Sequence, residues 1–264
     1  MLPIRDENPT RGPAVATLLL ILLNIVMFAA VSQRAGGTEQ IPDGELRFSL
    51  EYAAIPCELT QGRPLSFGEA AATFARGDEE ACTSSPSSPE LFPDKNVWLA
   101  VLTSMFLHAS WIHLGGNMLF LWIFGNNIED HMGAVRYVGF YLLAGLAASL
   151  AHVVVAPDST VPVVGASGAI AGVMGAYLLW FPRARILAVF FVFLIIPFRV
   201  PAAVLLAVWF VMQFFTAPDS GVAWVAHVGG FLFGTAVGAM VRFSPAWRRL
   251  LWRREYALTR PPGW

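Results

Sequence analysis

Seven apolar runs punctuate the chain, at about 14–31, 97–125, 134–156, 162–181, 186–198, 200–217 and 222–241. Most reach the roughly 20 residues that a helix needs to cross a bilayer. The run 186–198 does not: about 13 residues between Arg185 and Arg199 would span only about 20 Å as a helix, so it is expected to lie along one membrane surface. Six crossing helices remain, with both ends of the chain on one side. The one long polar stretch is 34–96, in which Glu45–Tyr52 and Phe67–Arg76 have the pattern of short amphipathic helices and Thr83–Glu90 reads as irregular linker. The chain therefore divides into a tail (1–12), a first spanning helix (13–33), a long external first loop (34–96), a core of five further spanning helices (97–242) and a basic tail (243–264).

Composition agrees with this division. Of 264 residues, 56% are hydrophobic and 13% charged, which excludes an ordinary soluble domain and makes an all-α membrane protein the expected class. The lipid bilayer is then its first partner, and no nucleic acid is expected. Charge sets the orientation. Twelve of the 17 basic residues (Arg5, Arg11, Arg136, Arg183, Arg185, Arg199, Arg242 and five from Arg248 to Arg260) fall on the side of the two tails, whereas 34–96 carries 11 acids against 5 bases, a net of −6. Positive charge marks the cytoplasmic side, so a multi-pass protein of a bacterial plasma membrane with both termini cytoplasmic is expected. The first apolar run is longer than a signal-peptide core and follows Asp6 and Glu7, which favours an uncleaved span. Cys57 and Cys82 both lie in the external segment, where a disulfide is favoured over a metal site.

The stretch Val163–Pro182 poses a chemical question, because a short membrane helix opens on one hydroxyl, Ser167, among glycines. Ser167 lies 14 residues before Phe181, His227 15 before Arg242 and His113 13 before Asn126, taking Phe181-Pro182-Arg183, Arg242 and Asn126–Asp130 as the inner helix ends. At 1.5 Å per residue these offsets are about 20–22 Å, which puts all three residues at one level about 10 Å below the outer surface. Polar groups at that depth are costly unless they meet each other or water, so their convergence points to a functional site rather than to separate interhelical hydrogen bonds. Gly168, Gly172 and Ala176 repeat below Ser167 as Gly230, Gly234 and Gly238 do below His227, which predicts close packing of the two helices.

A neutral imidazole can take the proton of a serine hydroxyl, giving His227 the role of base to Ser167 as nucleophile. The oxyanion so formed needs donors in place: the Ser167 N–H at a helix start, the His113 ring and the Asn117 amide, the last two sharing one helix face at i, i+4. The only nearby acids, Asp158 and Asp219, belong to external connectors, so a Ser–His dyad is expected rather than a triad. His108 is read as a supporting hydrogen-bonding group at the loop entry. His131 and His152 show no metal spacing, and the His-Glu-x-x-His pair of a zinc protease is absent. No metal or cofactor is implied. Water must reach Ser167 from outside, and the connector Ala217–Trp224, with its Pro and Gly, is the expected lid over that path.

These residues resemble the rhomboid family of intramembrane serine proteases over nearly all of 97–242. The resemblance lies in Gly165-Ala166-Ser167-Gly168, in His113-Leu-Gly-Gly-Asn117 and in Ala226-His227-Val-Gly-Gly-Phe-Leu-Phe-Gly234. It implies a six-helix core, cleavage of membrane-anchored protein substrates near the outer face, Ser167 and His227 as catalytic pair, and His113, Asn117 and Gly165 on the oxyanion and substrate side. His108 matches a histidine of the family's entry loop. Where some members carry a tyrosine four residues after the nucleophile, packed on the base, this chain has Ala171. The alternatives are a non-catalytic rhomboid-like protein that binds membrane clients, and a transporter with a polar midplane site. The first would be signalled by loss of Ser167 or His227, the second by repeated halves with broken helices.

Overall fold

The computed structural model describes residues 2–34, 43–83, 86–191, 195–216 and 222–253, and the fold is stated for these. It is mostly helical. Strand β1 (Leu2–Asp6) and helix α1 (Val15–Arg34) lead into the short helices α2 (Gly44–Tyr52), α3 (Pro56–Gln61), α4 (Phe67–Arg76) and α5 (Val97–Ser104). The bundle continues with α6 (Trp111–Met132), α7 (Ala134–Val155) and α8 (Ser167–Trp180). Strands β2 (Arg185–Phe191) and β3 (Ile195–Pro201) follow, then α9 (Ala202–Gln213), α10 (Trp224–Phe243) and α11 (Pro245–Leu251).

Among the described residues three helices are long and apolar enough to cross a membrane, within Val15–Ser32, Ala134–Val155 and Trp224–Phe243, while α8 and α9 are apolar but shorter. Helix α8 is hydrophobic all round and is accordingly the central element, buried without interruption from Gly168 to Tyr177 by α6, α7 and α10. Residues of α1 such as Leu19 and Leu22 stay exposed, the surface expected of a helix that faces lipid.

Two expectations are corrected at the end of the bundle where β1 and α11 lie. The run 186–198 is not a surface helix but most of a hairpin, with Arg185 opposite Pro201 and Phe191 opposite Ile195. A run rich in β-branched and aromatic residues suits a strand, and a lone hairpin would be marginal. The chain's N-terminal residues complete a three-stranded antiparallel sheet by pairing β1 with β2. Nor does α6 end within Asn126–Asp130. It runs to Met132 because its polar residues are buried and bonded: Glu129 accepts from the N–H groups of Ala16 and Thr17 and from the Thr17 hydroxyl, capping α1. Asp6 accepts from Asn127 and from the Tyr177 hydroxyl, tying the sheet to α6 and α8.

At the opposite end the apolar run 97–125 is divided. Helix α5 stops at Ser104, and α6 starts at Trp111 with Ser110 as its N-cap. The polar segment folds: α2 and α4 cover the two stretches read as amphipathic helices, and α4 carries a reciprocal capping box between Ser66 and Glu69. Burial pushes the Glu69 carboxyl up, but bonds from Arg63, Ser66 and Thr83 outweigh it and hold it at about 2. A small core of Leu50, Ile55, Cys57 and Leu65 sits beneath. Cys57 and Cys82 are joined as a disulfide, their Cα atoms 5.6 Å apart.

Candidate active site

Three helices begin at one level. Ser167 is the first residue of α8, while His113 and His227 lie in the first turns of α6 and α10. Their tips face a cavity of about 510 Å³ at the end of the bundle where the disulfide-linked segment lies, lined also by Gly165, Met105 and Val222. Within it the Ser167 hydroxyl Oγ is 2.8 Å from His227 Nε2. The fold brings these residues to one cavity although α6 runs past the Asn126–Asp130 end from which His113 was counted, so the offset arithmetic does not hold for His113.

The pair meets because the glycine stripes pack. A Cβ on Gly230 or Gly234 would overlap the carbonyl oxygen of Gly168 or Gly172, so α8 and α10 touch backbone to backbone directly below Ser167 and His227. Gly165 has a different task. Its φ of +125° lies where side chains are strained. A Cβ there would stand 2.9 Å from His113 Nε2 and 3.5 Å from Ser167 Oγ. The hydrogen of Gly165 therefore keeps open one small space flanked by the hydroxyl and by the imidazole expected to donate to an oxyanion.

Asn117 sits one turn below His113, buried, and its amide Nδ2 has no hydrogen-bond partner among the described residues. It is not among the cavity-lining residues. First-turn N–H groups of α8 lack intrahelical acceptors and point to the same end of the helix as Ser167. The His108 ring packs edge-on against His113, with centroids 5.1 Å apart, but neither of its buried ring nitrogens has a hydrogen-bond partner among the described residues, so the expected hydrogen-bonding role is not seen. His131 is remote, bonded to the Asn127 carbonyl and set between Phe181 and Trp252.

The loop before Ser167 is held by the disulfide-linked segment. The Val163 N–H donates to the Ala54 carbonyl (2.8 Å), the Thr160 N–H to Glu79 (2.8 Å), and the Ser159 carbonyl accepts from the Cys57 N–H (2.9 Å). Each arm of the disulfide thus grips the strand that leads to the nucleophile. Residues 217–221 of the expected lid lie outside the described residues, and only Val222 and Ala223 of that connector line the cavity.

Gln213 was missed by sequence reasoning. Its Oε1 lies 2.8 Å from His227 Nδ1, and the Trp209 ring packs at 5.9 Å on the same imidazole. Ala171, by contrast, is fully buried in α8. The signal was present, since Gln213 is one of only two polar residues in the run 200–217, and an amide in such a run needs a partner.

A helical membrane protein with a serine–imidazole pair sunk at the shared start of three helices is the class that fold and site define. The Rhomboid domain family model matches residues 95–243, more than half of the chain, and the chain belongs to the rhomboid family. It is 32% identical over 149 residues to Rhomboid protein 1, mitochondrial, of Saccharomyces cerevisiae, covering 53% of this chain and 41% of that protein. Identity to Rhomboid protease GluP of Bacillus subtilis is 42% over 81 residues, 31% of this chain and 15% of the other. Presenilin-associated rhomboid-like protein, mitochondrial, of Mus musculus is 34% identical over 110 residues, 41% and 28% of the two chains. The matches span less than half the length of these relatives. Their names place two of them in mitochondria, so an integral membrane protein is supported and the expected bacterial plasma membrane is not.

Proposed function

We propose that the protein is an intramembrane serine endopeptidase that cleaves membrane-anchored protein substrates near the outer membrane face. The observation that carries this reading is the 2.8 Å contact between Ser167 Oγ and His227 Nε2 inside the cavity. In this reading α1, α6, α7, α8, α9 and α10 are the six crossing helices, and the polar segment 34–96 is external. Helix α8, with 14 residues, spans about 21 Å, less than the hydrocarbon thickness. Its start, and with it Ser167, is therefore sunk beneath the surface, in a cavity that water must fill for hydrolysis.

Ser167 Oγ attacks the scissile carbonyl carbon as its proton passes to His227 Nε2. The oxyanion is stabilised by the His113 ring, the first-turn N–H groups of α8 and the Asn117 amide. The C–N bond breaks as His227 returns the proton to the leaving amine. Water then adds to the acyl-enzyme, giving its proton to His227, and Ser167 departs as the hydroxyl. No step calls for a metal or cofactor.

Labelling with a fluorophosphonate serine probe tests this reading. Wild type should be modified at Ser167 and should cut a reconstituted transmembrane reporter, and Ser167→Ala should do neither. A folded wild type that neither labels nor cleaves would overturn it in favour of a non-catalytic client-binding protein.

A further inference from the structure

The hydrogen bonds behind His227 run in one direction, and that direction is set by a main-chain carbonyl. The Gln213 amide nitrogen Nε2 donates to the Trp209 carbonyl oxygen at 2.9 Å. A carbonyl can only accept, so the NH2 end of Gln213 is committed there and its Oε1 must face the other way. Oε1 lies 2.8 Å from His227 Nδ1. An amide oxygen can likewise only accept, so Nδ1 must carry the imidazole hydrogen. Nε2 is then a bare lone pair 2.8 Å from Ser167 Oγ. Gln213 is buried, with 8% of its surface exposed, so water does not readily replace it in this relay.

We infer that Gln213 is a positioning residue that holds His227 in the Nδ1–H tautomer and so aims its free lone pair at the Ser167 hydroxyl. This deepens the proposed protease reading and rests on it for its consequence, though not for its geometry. Triads commonly assign this task to a carboxylate. In a membrane bundle a carboxylate would need compensation for lost hydration, whereas an amide offers the same acceptor without charge. Helix α9 supplies the whole arrangement: Trp209 gives the carbonyl and a ring against the imidazole, and Gln213, one turn on, gives the acceptor. With that acceptor removed, the second tautomer, which presents an N–H to the serine and cannot take its proton, is no longer disfavoured.

The test is 15N NMR of the full chain in detergent micelles with 15N-labelled histidine, the His227 signals assigned by their loss in His227→Ala. At a pH where the ring is neutral, wild type should show a protonated Nδ1 and an unprotonated Nε2. In Gln213→Leu that pattern should become mixed or reversed, and the fluorophosphonate labelling rate of Ser167 should fall about 10- to 100-fold, the range for one lost buried hydrogen bond. A protonated Nε2 in wild type overturns the inference without any variant. Unchanged labelling in Gln213→Leu overturns it too, as does slower labelling with the tautomer pattern unchanged, because Gln213 would then act through packing alone. If wild type shows the Nδ1–H pattern but no labelling, the protease reading fails while the assignment of the tautomer stands.

Discussion

A single methyl group at Gly234 should separate the two halves of the candidate active site. Gly234 lies two turns below His227 on α10, and Gly172 lies beneath Ser167 on α8. A Cβ on Gly234 would overlap the Gly172 carbonyl oxygen and stand 2.7 Å from the Gly172 Cα. Two carbon atoms need about 3.5–4.0 Å and the carbonyl oxygen is nearer still, so the helices must part by more than about 1 Å, and neither obstacle is a flexible side chain that could swing away. Adding that displacement to the 2.8 Å between Ser167 Oγ and His227 Nε2 takes the pair past hydrogen-bonding range. Misplacement of that size costs about 100-fold in rate, and the overpacking itself about 1–3 kcal/mol of stability. Gly234→Ala is therefore expected to slow fluorophosphonate labelling about 100-fold and to lower the melting temperature. Gly139→Ala on α7, where none of the described residues lies within 4 Å of the added carbon, should leave both unchanged. If Gly234→Ala labels and melts like wild type, the contact between the glycine stripes does not hold the pair together.

Ser167→Ala and His227→Ala should each abolish cleavage of a membrane reporter, and Asn117→Ala should lower it by about 10- to 1,000-fold, as removal of one oxyanion donor does. An unchanged rate in Asn117→Ala would make that amide structural. Cys57→Ser should destabilise the disulfide-linked segment by about 3 kcal/mol, read by proteolysis or melting, because the disulfide closes a loop with a sequence separation of 25. Cleavage should fall with it, since both arms grip the loop before Ser167. Burial raises the Asp6 carboxyl to about 6, against the pull of its bonds from Tyr177 and Asn8. The folded state then holds the proton more tightly than the unfolded chain, whose carboxyl titrates near 3.9, so this contribution to stability is full below about pH 4 and lost as pH rises through about 6. Melting curves between pH 4 and 7 should show that slope in wild type and not in Asp6→Asn.

The membrane class, most helices of the bundle and the juxtaposition of Ser167 with His227 were legible because each depends on something local, such as the length of an apolar run or a periodic glycine, but the run 97–125, read as one span, divides into α5 and α6. Amphipathic patterning made α4 legible too, and its Ser66–Glu69 capping box, three residues apart, is a local signal that was not used. The role of Glu129 was hidden, because an acid near a helix end looks the same whether it faces water or caps α1 more than 110 residues earlier in the chain. The strand pairing of 185–201 with the N-terminus likewise joins segments whose proximity no spacing encodes, whereas the Cys57–Cys82 disulfide was expected because the only two cysteines share one polar segment. Gln213 lies between these cases: its burial in an apolar run was readable, but its partner was not. Which ring nitrogen an amide meets depends on how α9 and α10 are rotated about their axes, and packing against α8 sets that rotation.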